Sequence, residues 1–256
     1  MNTPLFAKSL LTLALAMGPF AGAHAASQAF YADQLTAITP ADARAAFLNA
    51  TTGVQAEGFE TAPVGIPVGA LSIFNGQGSL TQGPFSNGSI EQSTQAVNGR
   101  FNTTPNCNPV TGCKWWETPN SFAITLTSLK SAFGFFATDL GDLGGAVNLD
   151  FWNDANKVRS GIAVTQATPS AGLLFFGWID DTFSFNRVSV NVTQTNANPS
   201  RFDYVGFDDV LVGTRATVVP PPPPTPVSAP ASLALVGLSL ALLAASRRRV
   251  QPPTGT

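Results

Sequence analysis

The stretch SFAITLTSL, residues 121–129, alternates with a period of two: Phe122, Ile124 and Leu126 fall on one side, Ala123, Thr125 and Thr127 on the other. Successive side chains of an extended chain point to opposite faces, so this pattern predicts a strand with one face in a core and the other open to water. Similar runs follow: AFGFFAT (132–138), AVNLDFW (146–152), RSGIAVTQ (159–166), GLLFFGWI (172–179), FSFNRVSVNVT (183–193) and YVGFDDVLVG (204–213), punctuated by Gly, Asn, Pro and Asp. Short strands at regular spacing with turn residues between them predict an all-β sandwich. Within 183–193, Phe183 and Phe185 share one phase while Val188, Val190 and Val192 share the other, which predicts a bulge near Asn186-Arg187. No strand-helix alternation appears after residue 57, which argues against a parallel α/β fold.

Upstream, TPADARAAFLNA (39–50) has an N-cap at Thr39, Pro40 at the first helical position and Asp42 in the first turn, and predicts one short helix. The first residues read as an export signal: Lys8, the apolar run Leu10 to Met17, and Ala23-His24-Ala25 as a small-x-small cleavage site. Cleavage after Ala25 would discard His24, the single histidine of the chain. The expected organisation is a signal peptide (1–25), an N-terminal segment with a short helix (26–56), a β-sandwich domain (57–213), a Pro-rich linker (214–229) built on the five consecutive prolines 220–224, a C-terminal hydrophobic segment (230–250) and a tail (251–256).

Charge narrows the partners. All fifteen acidic residues lie between Asp33 and Asp209, against nine basic residues outside the terminal segments, so the folded part carries a net charge of −6. That balance argues against a nucleic-acid partner, whose phosphates need a basic face. Cys107 and Cys113 flank Pro109 and Gly112 in NCNPVTGC, a spacing that in an oxidising compartment favours a local disulfide. A metal or redox pair is the alternative, but there is no C-x-x-C, and no histidine would remain to complete a zinc site.

Catalytic chemistry finds little support. Without histidine, Ser-His-Asp and Cys-His arrangements are excluded, and neither G-x-S-x-G, a Walker A loop nor G-x-G-x-x-G occurs. DLGDLGG (139–145) lacks the spacing of an EF-hand loop and reads as a hairpin turn. Two carboxylates facing across a cleft would suffice for glycoside hydrolysis, and sequence spacing leaves that alternative open. Aromatic residues offer a second lead, because sugar rings present C–H faces that pack on indoles. Trp115 and Trp116 in CKWWETP would point to opposite faces of a strand, so one is a candidate for glycan stacking, with packing of both as the competing reading; Trp152 and Trp178 lie in strand-like runs and are expected in the core.

The tail PVSAPASLALVGLSLALLAASRRRV (226–250) combines a Pro-containing motif, sixteen uncharged apolar or small residues (231–246) and Arg247, Arg248 and Arg249. It resembles the PEP-CTERM sorting signal of exopolysaccharide-producing Gram-negative bacteria. Against the family's V-P-E-P motif, Val227 and Pro230 match, while Ala229 stands where the glutamate would be. The resemblance implies a transient inner-membrane anchor, recognition by an exosortase-type protease, cleavage near Pro230 and delivery to the cell surface or extracellular matrix. A permanent inner-membrane anchor is the alternative. Within the domain, EGFE (57–60) and GFDDVLVG (206–213) are similar to the paired ends of carbohydrate-binding-module-type jelly rolls. That resemblance implies neighbouring first and last strands and a structural calcium ion held by Glu60 with Asp208, Asp209 or both. Together these readings predict a jelly-roll-like β-sandwich acting as a non-catalytic structural or adhesive protein of the exopolysaccharide matrix, with polysaccharide as candidate ligand. A secreted carbohydrate-active hydrolase is the alternative.

Overall fold

The computed structural model describes residues 27–83, 87–93, 113–140, 145–168, 172–194 and 203–216. The chain enters on β1 (Ser27–Asp33), forms helix α1 (Pro40–Asn49), and continues through β2 (Thr51–Glu57), β3 (Leu71–Ile73), β4 (Gly78–Gln82) and β5 (Ser89–Ser93). Then come β6 (Cys113–Thr118), β7 (Phe122–Lys130), β8 (Ala132–Thr138), β9 (Gly145–Asn153), β10 (Asn156–Val164), β11 (Leu173–Asp180), β12 (Phe185–Gln194) and β13 (Val205–Arg215).

Two antiparallel sheets form a sandwich. Four strands of one run β11-β8-β13-β6, and four of the other run β10-β9-β12-β7. From β6 to β13 the chain crosses between the sheets at each step except the β9–β10 hairpin, which is the eight-strand pattern of a jelly roll. Added strands widen it: β1 flanks β11, β5 flanks β6, and β4 followed by β3 extend the second sheet beyond β7. β13 pairs first with β6, at Val205 to Phe207, and then with β2, at Val210 to Arg215, so the predicted neighbourhood of Glu57 and the last strand is present.

The alternating residues behave as their period dictates. Phe122, Ile124 and Leu126 enter the inter-sheet core with Phe133, Phe135, Leu149, Phe151, Val188 and Val190. The predicted bulge appears as a register shift between Phe185 and Arg187. A second shift, between Asp208 and Leu211, moves the inward phase of β13 from Phe207 to Val210 and Val212; Asp209 sits there in the left-handed region (φ 44°), which aspartate tolerates better than most residues.

Helix α1 starts where its caps require. The Thr39 hydroxyl accepts from the Asp42 backbone N–H and the Asp42 carboxylate accepts from that of Thr39, a reciprocal capping box with Pro40 following. The helix covers the outer face of the seven-stranded sheet, packing Ala43 and Phe47 with Phe30, Phe136, Phe175 and Leu211 in a second core. Residues 27–56 therefore do more than precede the sandwich: β1 and β2 extend a sheet and α1 buries its outer face over β8 and β11. β8 is buried along its whole length for this reason.

Candidate functional site

The second sheet is dressed differently. Its outward positions are exposed or half-buried and mostly polar. Strand pairing arranges them in rows. One row runs Lys157–Trp152–Arg187–Thr125–Ser79 across β10, β9, β12, β7 and β4; the next runs Asp150–Ser189–Ala123–Thr81; a third pairs Asn148 with Asn191. Cross-strand partners on one face stand close enough for direct side-chain interaction.

At the β10 end, Trp152 lies between two cations. Lys157 Nζ is 4.8 Å and the Arg187 guanidinium carbon 5.4 Å from its ring centroid. Since β9 runs between β10 and β12, the two approach from opposite sides, and an indole face attracts both through its quadrupole. Asp150, one pleat along, accepts from Lys157 Nζ (2.8 Å) and from the Gly161 backbone N–H (2.9 Å). Burial by itself would raise its carboxyl, but the hydrogen bonds from Lys157 and Gly161, the lysine charge and the Asn191 side chain together hold it below its ordinary value. The carboxylate is thus ionised and engaged by its neighbours.

Toward β4 the face sinks into a depression of about 280 Å³, where the small Ala123 lies between Thr81 and Ser189, with Arg187 and Asn191 on its side. Thr81, Gln82 and Gly83 also border an adjoining hollow of about 460 Å³ walled by Ile66, Pro67 and Ala70. Hydroxyl, amide and guanidinium groups around a shallow groove are equipped to hydrogen-bond a polyhydroxylated ligand lying across the strands.

Trp115 and Trp116 take the packed alternative, whereas Trp152 departs from its expected place in the core. Trp115 and Trp116 are both buried, at 2% and 0% exposure, so neither offers a ring to a sugar. Trp116 faces the inter-sheet core against Phe122, and a Cβ added at Gly88 would come within 2.3 Å of its ring, so backbone lies flat on the indole. Trp115, on the opposite phase, is buried as well, and its Nε1–H donates to Glu117 Oε2 (3.2 Å). Trp152, expected in the core, stands half-buried on the solvent face. Its phase carried the signal: it alternates with Asn148 and Asp150, opposite Val147, Leu149 and Phe151. Trp178 is half-buried at the margin of the inter-sheet core, 5.7 Å from the Arg159 guanidinium.

The three carboxylates expected to share calcium are not brought together. Glu60 accepts from the Lys114 backbone N–H (3.1 Å), Asp209 pairs with Arg44 of α1 (2.6 Å), and Asp208 is buried with its Oδ1 accepting from the Asp209 N–H. Among the described residues no group of three or more His, Cys, Asp or Glu is placed to hold a metal ion. Cys113 is buried at the start of β6. Cys107, most of the 139–145 turn, the signal peptide, the proline run and the sorting residues Val227, Pro230 and Arg247 to Arg249 lie outside the described residues.

No protein-family model matches this chain, and no curated protein does. Among solved structures it is similar to the K2 cleaved adhesin domain of Lys-gingipain, at 10% identity and a TM-score of 0.40 over 63% of this chain and 98% of that one. A family 29 carbohydrate-binding module is similar at 12% identity and a TM-score of 0.28, over 59% of this chain and 90% of that one. A family 89 glycoside hydrolase from Clostridium perfringens matches 66% of this chain but 18% of its own, at 12% identity and a TM-score of 0.29. These likenesses are distant, and the jelly-roll assignment rests on the strand order.

Proposed function

We propose that this protein is an exported, non-catalytic component of a cell surface or exopolysaccharide matrix that holds polysaccharide on the solvent face of its six-stranded sheet. The observation that supports this reading is the groove itself: rows of outward hydroxyl and amide groups in register across the strands, beside a depression of about 280 Å³. Asp150 is the one carboxylate in those rows and is engaged by Lys157 and Gly161, so no facing carboxylate pair favours hydrolysis there. Pairing of Cys107 with Cys113, and sorting by an exosortase-type protease acting on the C-terminal signal, belong to the same proposal.

The test is affinity electrophoresis of the full chain in gels cast with polysaccharides, together with an assay for released reducing ends. Retardation without product is expected. Replacing two groove hydroxyls, Thr81→Val with Ser189→Ala, should weaken binding by about tenfold or more, as expected for losing two hydrogen bonds. Released reducing ends would point to the hydrolase instead, and undiminished retardation of the double variant would remove this face as the site.

A further inference from the structure

We infer that the polysaccharide held on this face is acidic, and that Arg187 is the residue that selects its carboxylate groups. The inference rests on the reading of the sheet face as a glycan site and names the class of glycan. Three charged side chains stand in the two central rows: Lys157, Asp150 and Arg187. Two of them satisfy each other, because the Lys157 ammonium bonds Asp150 at 2.8 Å and the second Asp150 oxygen takes the Gly161 N–H. Arg187 is left over. It is exposed, it borders the depression, and among the described residues no carboxylate pairs with it.

Its surroundings prepare it for an anion. A guanidinium has five donors in a planar fork, accepts nothing, and matches a carboxylate with two parallel hydrogen bonds. Stacking against Trp152 at 5.4 Å restricts the plane of that fork, so less freedom is lost when a ligand binds. Lys157 on the far side of the indole adds a second positive charge within the same row, partly offset by Asp150. The folded part of the chain is acidic, so this cation is a local exception and not part of a general basic coat. With both flanks of Trp152 occupied by cations, stacking of a neutral sugar on its faces is hindered, whereas anion capture by Arg187 is not.

The experiment compares polyuronates (polygalacturonate, alginate, hyaluronate) with their methyl-esterified forms, which keep the backbone and lose the charge, for the full chain and for Arg187→Gln and Arg187→Lys. Because Arg187 is exposed, both variants should keep the parent's thermal midpoint, which checks their folding. At least one polyuronate should bind about tenfold more tightly than its ester, with the preference weakening as salt rises and screens the exposed charge. Arg187→Gln should bind acid and ester alike, and Arg187→Lys should keep part of the preference. Equal binding of acid and ester by the parent chain, or an unchanged preference in Arg187→Gln, overturns the inference while leaving glycan binding in place. Absence of binding to these and to neutral polysaccharides overturns both.

Discussion

Asp33, at the end of β1, shows how a single buried carboxylate can set acid sensitivity. It is 1% exposed, accepts from the Tyr31 hydroxyl at 2.7 Å and from the backbone N–H groups of Leu35 and Ala167 at 2.8 Å each, and so ties the edge strand to the segment before β11. Burial would raise its carboxyl, but the hydrogen bonds from Tyr31, Ala167, Leu35 and Thr168 outweigh it and hold the group below its ordinary value. The Tyr31 phenol is pushed up by burial and by Asp33, and stays protonated as the donor. A carboxyl with a lowered folded value contributes stability above its unfolded value of about 3.9 and loses it as pH falls through the folded value. The thermal midpoint should therefore drop below about pH 4, and Asp33→Asn should start lower at neutral pH yet fall less in acid. Circular dichroism melts from neutral to acid pH measure this, and parallel curves for the two proteins would refute it. Two of its donors, Tyr31 and Leu35, are local, but the tie across the fold is not legible in the sequence because Ala167 and Thr168 lie more than 130 positions away.

Elements differ in how locally they are encoded. Helix α1 was legible because Thr39, Pro40 and Asp42 close their capping interactions within four residues. β1 was not: SQAFYAD has no clean alternation, and its strand character comes from antiparallel pairing with β11. The two meet at Phe47, whose ring lies edge-on to Phe30 at 5.6 Å and to Phe175 at 5.8 Å. Gly177 makes room for it, since a Cβ there would stand 2.5 Å from the Phe47 ring. Phe47→Ala should cost about 3–5 kcal/mol, the range for emptying a fully buried aromatic site. Gly177→Ala should also destabilise, by about 1–3 kcal/mol through overpacking. Denaturant titration would check both, and a loss below about 1 kcal/mol for Phe47→Ala would mean that α1 is only loosely seated.

At the scale of the described residues, α1 covers the outer face of the seven-stranded sheet over β8 and β11, whereas the six-stranded sheet presents exposed or half-buried positions on its outer face. If the tail is a sorting signal, intact-mass spectrometry of the exported protein should find a chain that begins near Ala26 and lacks Arg247 to Arg249. Recovery of chain ending near Thr256 solely from the inner membrane would establish the permanent anchor instead. The amino-acid sequence alone determined what rests on short-range periodicity: the all-β class, the strands from Phe122 onward, the bulge before Arg187 and the capped helix. Those features depend on side chains two to four positions apart, which any reader of the chain can see. Tertiary structure decided which faces are wet. An alternating strand declares two faces but not what covers each, and covering is supplied from afar: α1 closes the outer face over Phe136 and Phe175, while among the described residues no helix packs on the row of Trp152 and Arg187. Tertiary packing likewise buries Trp115 and Trp116 and leaves Trp152 half-buried between its two cations.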